Sequence, residues 1–368
     1  MTSGDSKHKM QEKIDLNKAK RGLLIALLIG VLAIGLIIAL TFNKRTIEAL
    51  IAINVTYLAL STAAILMSWI FSSLPFLILT RVVKKPINFI SAVYVYLGGS
   101  FFGFITPFGS ALIPTQIFVL TRDGLTPGQA TAVASSRATI SSWLFAALGL
   151  TIFMSFRSTL PGSFSTSVLI AIIVVAVVWS LLTLFFITRP EQAKRMVSRF
   201  FKVRIISRYV RQEVLDRVKD RIFSEIDYLS TNLRDLFSPA NAPAIFMVFI
   251  AEVFAWLALF AVLPLVMLGF GISSNLGQIF LRLLILFSLA PASPTPGGSG
   301  VIEIALAGLL FNLVPASFIG LIVLVWRTLT YYLTIVAGGI VVTRLVTKAA
   351  LGGRENKKSS NSCHGTRS

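Results

Sequence analysis

Between the apolar runs 279–290 and 301–314 lies Pro291-Ala292-Ser293-Pro294-Thr295-Pro296-Gly297-Gly298-Ser299-Gly300, a stretch that no helix can run through. Proline lacks the amide donor and its ring clashes with the preceding turn, and each glycine costs a helix about 1 kcal/mol. In hydrocarbon an irregular backbone leaves polar groups unsatisfied at several kcal/mol each, so such a break survives only where protein buries it or water reaches it. The chain restarts with Glu303 in the first turn of the next helix. Unpaired N–H groups gather at a helix start and favour negative charge there.

The break has a twin. Thr106-Pro107-Phe108-Gly109-Ser110-Ala111-Leu112-Ile113 matches Thr295-Pro296-Gly297-Gly298-Ser299-Gly300-Val301-Ile302 as T-P-x-G-S-x-x-I, and both lie between apolar segments too short to span a bilayer. Paired interruptions in two halves of a hydrophobic chain are a pointer to a transporter-like binding site.

The setting is a membrane. Of 368 residues 55% are hydrophobic and 13% charged, with mean hydropathy +0.82. A net charge of +19 would suggest nucleic acid in a soluble protein, but here the basic residues fall in flanks and loops, where they set topology and meet anionic lipid. The one cysteine, Cys363, and the two histidines, His8 and His364, lie in polar tails, so no disulfide framework, metal site or cofactor is expected.

A basic tail occupies 1–21, and 22–42 reads as a first span with the N-terminus inside. The long apolar stretch 47–80 ends at Arg81, Lys84 and Lys85. Segments 88–103 and 111–121 flank the first break, and Thr126-Pro127 starts a helix running to about Phe156. Residues 165–188 span again. Segment 189–235 holds twelve basic and seven acidic residues, net +5, with Val214, Val218, Ile222, Ile226 and Leu229 at helical spacing. This pattern predicts a cytoplasmic amphipathic helix on the lipid headgroups. Residues 244–268 span, 276–290 and 301–313 flank the second break, 315–346 span, and 347–368 form a polar cytoplasmic tail. Charge placement then has the first hairpin entering from inside and the second from outside. The expected fold is all-α: a polytopic bundle with two re-entrant broken-helix hairpins as an inverted repeat, one transmembrane domain over 22–346.

Ionisable groups in hydrocarbon are costly and by default functional. Arg137, Glu252, Arg282, Glu303 and Arg327 qualify, with Tyr331 one turn after Arg327 on the same face. Arg282 can snorkel to the interface. The others can act as buried struts, paired as Arg137–Glu303 or Arg327–Glu252. The small polar residues around the breaks can bind a headgroup or serve as caps.

The run Pro294-Thr295-Pro296-Gly297-Gly298-Ser299-Gly300-Val301-Ile302-Glu303, followed by Arg327-Thr328-Leu329-Thr330-Tyr331, resembles the lysylphosphatidylglycerol synthase transmembrane-region, or flippase-like, family. Those proteins share P-x-P-G-G-x-G-x-x-E and a later R-x-x-x-Y. The first break, Arg122 and Arg137 fall where the family has its N-terminal glycine motif and an arginine-bearing helix. Pro114 and Gln116 stand where relatives often carry an acid, and Ser136-Arg137-Ala138 lacks an acid beside the arginine.

The resemblance implies movement of aminoacylated or glycosylated lipids between leaflets, without the soluble aminoacyl-transferase of bifunctional relatives. The expected role is a translocator in the cytoplasmic membrane, not an enzyme, with both termini cytoplasmic. Its partners would be anionic or aminoacylated phospholipid or a polyprenyl-linked substrate, not nucleic acid; a homo-oligomer stays open. The headgroup would be held by Glu303, Arg327, Tyr331, Arg137, Thr295, Gly297, Gly298, Ser299, Gly300, Thr106, Gly109 and Ser110, with Glu252 as charge partner. Two alternatives remain: an enzyme acting on lipid phosphate with Glu303 as base, and an assembly partner that docks a cytoplasmic enzyme through 189–235.

Overall fold

A computed structural model of the chain describes residues 53–156, 162–201, 212–290, 293–345 and 347. The basic tail 1–21, the first expected span 22–42 and the polar tail from 348 lie outside the described residues. Among the described residues the regular structure is all helical, with no strand.

The helices begin where their sequences can cap them. Helix α1, Val55–Val82, starts on Asn54, whose side chain accepts the Thr56 N–H, and α2, Phe89–Ile105, starts on Asn88 in the same way. After the first break comes α3, Leu112–Arg122. Helix α4, Pro127–Phe156, opens with a reciprocal capping box: Thr126 Oγ1 accepts the Gln129 N–H at 3.2 Å while Gln129 Oε1 accepts the Thr126 N–H at 3.0 Å. Then follow α5 (Gly162–Thr188), the short α6 (Pro190–Phe201), α7 (Gln212–Leu236) and α8 (Ala242–Gly269). Helix α9, Leu276–Leu289, is capped by Asn275, whose side chain accepts from Gly277 and Gln278. The second break leads to α10 (Val301–Leu310) and then α11 (Ala316–Arg327). Helix α11 passes through a π-helical turn at Thr328–Tyr332 and continues to Leu345.

Among the described residues three helices are long and apolar enough to cross a membrane: Val55–Val82, Pro239–Gly269 and Ala316–Leu345. Helices α1 and α8 lie antiparallel along their length, with Asn54 N–H bonded to the Gly269 carbonyl at 2.9 Å and Ser68 Oγ to that of Ala255 at 3.0 Å. The helices flanking each break are shorter. At 1.5 Å per residue α2 and α3 reach only about 25 and 16 Å, and α9 and α10 about 21 and 15 Å.

The basic ends gather at one end of the bundle. Arg122 donates to the Leu345 carbonyl at 2.9 Å, tying the end of α3 to the helix that continues α11. Gln129 Nε2 reaches the Val83 carbonyl beside Lys84 and Lys85, and Arg234 reaches that of Ile187. The start of α2 and the end of α3 therefore share this end. At the other end the Phe270 and Phe318 rings, just past α8 and at the start of α11, meet at 6.1 Å.

Among the described residues the core falls into two large clusters and a small third one of Leu281, Leu284 and Ile285 on α9. Of the large two, one joins α8 to α11 through Phe260, Leu263, Met267, Leu283, Ile322 and Trp326. The other joins α1 to α4 with α7 through Phe76, Leu79, Leu120, Val133 and Leu233.

Helix α7 departs from the expected picture of a helix on headgroups. Its apolar face, including the buried Ile226, Leu229 and Leu233, packs against protein. Gly128 allows this close crossing: an added Cβ there would stand 2.6 Å from Tyr228 Cβ and 2.8 Å from the Glu225 carbonyl. Glu225 Oε2 also accepts the Gly128 N–H at 2.6 Å and so caps α4 from a neighbouring helix.

Gly128→Ala is expected to destabilise the protein by about 1–3 kcal/mol through overpacking. Gly308→Ala, where the new Cβ meets nothing within 4 Å, should be neutral or gain up to about 1 kcal/mol. Thermal unfolding in detergent checks both.

Candidate functional site

The two breaks fold alike. In the first, Thr106 is extended and Pro107–Gly109 form one 3-10 turn with φ of 56° at Phe108 and 64° at Gly109. In the second, Thr295 is extended and Pro296–Gly298 form the same turn with φ of 59° at Gly297 and 69° at Gly298. The paths part at the serine, ψ being −26° at Ser110 and 133° at Ser299. The breaks also touch, since the Phe108 N–H donates to the Ser293 carbonyl at 3.3 Å.

Gly297 is obligatory on two counts. Its φ is left-handed, and any Cβ would run into the Tyr331 ring. Phe108 takes the same conformation with a bulky side chain, which costs roughly 1–2 kcal/mol, and it fits only because its ring points into the open at 58% exposure.

A buried ion pair closes the second break. Arg327 Nε donates to Glu303 Oε1 at 2.7 Å, and Arg327 Nη2 donates to the Gly297 carbonyl at 2.6 Å. The second carboxylate oxygen, Oε2, accepts the Gly300 N–H at 2.8 Å, so one acid neutralises the arginine and caps α10. The guanidinium lies 4.0 Å from the centroid of the Tyr331 ring, whose hydroxyl lies 3.4 Å from Ser299 Oγ. Phe104 of α2 packs on Tyr331 at 5.1 Å, tying this cluster to the first half. Glu303 and Tyr331 have no exposed surface.

The charges pair differently from the expected Arg137–Glu303 and Arg327–Glu252. Glu303, in the first turn of α10, meets Arg327, at the end of α11, beside the second break, while Arg137 of α4 meets Glu252 of α8, with Arg137 Nε 2.9 Å from Glu252 Oε1. The second pair is looser: neither atom is aligned for a hydrogen bond, and the guanidinium sits 5.1 Å from the Phe76 ring centroid and 5.6 Å from that of Tyr96. Ser141, which accepts from the Trp256 indole at 3.2 Å, adjoins Glu252.

Other expected site residues are engaged locally. Thr106 Oγ1 donates to the Phe102 carbonyl at 2.8 Å and accepts the Ala111 N–H at 3.2 Å, and Thr295 Oγ1 pairs with Ser293 Oγ at 2.9 Å. Gly298 and Ser299 are buried, whereas Gly109 and Ser110 are exposed. Arg282 is half-buried and donates to the Leu309 carbonyl at 2.7 Å, which joins α9 to the end of α10 rather than leaving the side chain free to snorkel.

One residue escaped the sequence reading: Phe108 occupies the x of T-P-x-G, and alignment with Gly297 is the signal that would have exposed its strained backbone. Gln116, which stands where relatives often carry an acid, is buried and pressed against Gly99, its amide nitrogen unpartnered among the described residues.

Fold and site define a polytopic helical membrane protein with two interrupted helices in contact and two buried ion pairs. The family model described as the lysylphosphatidylglycerol synthase TM region matches residues 23–338, and the chain belongs to that family. A UPF0104 membrane protein of Archaeoglobus fulgidus is 20% identical over 329 residues, covering 89% of this chain and 98% of its own length. A UPF0104 membrane protein of Methanothermobacter thermautotrophicus is 28% identical over 176 residues, 47% of this chain and 48% of its own.

Removing one partner of the Glu303–Arg327 pair leaves a buried charge alone, so Glu303→Leu or Arg327→Met should each destabilise by about 3–5 kcal/mol. The double variant should lose much less than the sum. A double-mutant cycle by unfolding in detergent reads the coupling.

Proposed function

We propose that the chain is a translocator that carries the polar headgroup of a phospholipid or lipid-linked substrate between leaflets of the cell membrane. The observation that carries this reading is the contact between the two breaks, the second partly buried around Gly298 and Ser299 and the first exposed from Pro107 to Ser110. An exposed irregular backbone is not tolerated against lipid tails, so at membrane depth the first break would line a wet cavity. The basic ends at one end of the bundle support cytoplasmic termini under the positive-inside rule. With α2 and α3 opening to that end and the break tips touching, two re-entrant hairpins from opposite faces, related as an inverted repeat, are the arrangement we infer.

The roles divide between the pairs. Glu303 and Arg327 are consumed in holding the second break, so we assign them structure and place no general base at Glu303. Arg137 keeps some exposed surface while its partner Glu252 is buried. It is the cation we assign to the headgroup phosphate, with Ser110 and the Gly109 backbone at the exposed break as further polar contacts. Anionic or aminoacylated phospholipids and polyprenyl-linked substrates all carry the phosphate this requires.

Scrambling of fluorescent phospholipid in proteoliposomes tests the reading. Arg137→Gln combined with Glu252→Gln keeps the helix seam neutral and should insert as wild type does, but should move lipid at least about tenfold more slowly, the loss of one charged hydrogen bond. Unchanged movement would make Arg137 a strut. No movement by wild type with anionic, aminoacylated or polyprenyl lipid would remove the translocator reading.

A further inference from the structure

Glu252 sits near the middle of the span Pro239–Gly269 with almost no exposed surface. Helix α8 packs against α1, α4, α9 and α11, whose ionisable groups are few. On α1 they are Tyr57 and Arg81, one near each end. On α9 Arg282 is turned to the Leu309 carbonyl. On α11 Arg327 is held by Glu303 with Tyr331 and Tyr332 beside the pair, and Arg344 lies at the far end of the continuing helix. Among the described residues that leaves Arg137 of α4 facing Glu252, with Tyr96 of α2 against the guanidinium.

The seam therefore holds one charge of each sign and no cation in reserve. A phosphodiester headgroup placed on Arg137, as assigned above, brings a second anion to a single cation. At this depth an uncompensated charge is costly, and a proton removes it. The carboxylate is by far the weaker acid of the two anions, so Glu252 takes the proton. The guanidinium and carboxylate, with a phosphodiester monoanion and one proton, become a guanidinium–phosphodiester pair and a neutral carboxylic acid. One O–H bond forms, and the seam is neutral before and after.

The local geometry suits this exchange. Arg137 and Glu252 are close but unaligned, whereas Arg327 is locked to Glu303 and to the Gly297 carbonyl. The Ser141 hydroxyl adjoins Glu252 and can donate to the carboxylate or accept from the acid.

We propose that Glu252 carries one proton with each anionic headgroup, so that a monoanionic phosphodiester lipid and a proton move together without net charge. This rests on the assignment of the headgroup phosphate to Arg137.

Calorimetric titration of the full chain in neutral detergent with dihexanoylphosphatidylglycerol, in PIPES and in imidazole, whose ionisation heats differ, counts the protons taken up. Wild type should take up about one proton per lipid at pH 7. Its affinity should fall as pH rises, by up to about tenfold per pH unit, because the bound form holds the extra proton. Glu252→Gln, with no carboxylate to compete for Arg137, should bind at least as tightly, without proton uptake or pH dependence. If that variant does not fold, the wild-type proton count decides alone. Binding by wild type without proton uptake, or uptake that persists in Glu252→Gln, overturns the inference and leaves the translocator reading standing. No binding by wild type, or equal binding by the Arg137→Gln and Glu252→Gln double variant, takes the phosphate off Arg137 and overturns that assignment and this inference together.

Discussion

Everything in the second half of the chain depends on satisfying one irregular stretch of backbone. Gly297, Gly298 and Gly300 hold left-handed conformations, and the Gly297 carbonyl and the Gly300 amide turn to side chains for partners. Arg327 and Glu303 supply the partners: the guanidinium takes the Gly297 carbonyl, the carboxylate takes the Gly300 N–H, and the two neutralise each other. Each charge would be expensive to bury alone, and the break would be expensive without them. Tyr331 completes the arrangement from below the guanidinium and forbids any side chain at Gly297.

The first half repeats the turn without repeating this closure. Pro114 stands at the position that aligns with Glu303, so the first break has no carboxylate to cap α3 and no arginine to fix its carbonyl. It is correspondingly exposed, and Phe108 carries there the strain that glycine avoids in the twin. One arm is therefore locked into the core and the other open, in a single contact. The two halves are joined again at Arg137 and Glu252, where the ion pair is unaligned and cushioned by Phe76 and Tyr96.

Much of this was legible in the sequence, because proline and glycine punctuate helices by local rules. The T-P-x-G-S match gave both breaks, the apolar segment 88–103 began one residue before α2, and Thr126-Pro127 put the start of α4 where it lies. The partners of the buried charges were not legible, since which helix faces which depends on packing angles that periodicity does not encode. The fate of α7 was hidden for a similar reason: an apolar stripe reads the same against lipid or protein, and only Gly128 in another helix decides it. Charge placement makes Arg122 a topological marker, and it also bonds the Leu345 carbonyl, a partner the sequence does not reveal.

The central claim is that the two breaks meet inside the bundle, and cysteine cross-linking tests it most directly. With Cys363 replaced by serine, Phe108→Cys and Ser293→Cys introduce a pair across the backbone bond that joins the breaks. A short bismaleimide on membranes containing this variant should link the two positions rapidly. The control pair Phe108→Cys and Leu276→Cys, removed by the length of α9, about 20 Å, should stay unlinked. Equal rates for the two pairs, or no link between 108 and 293 in protein that reacts readily at both thiols, would contradict the account.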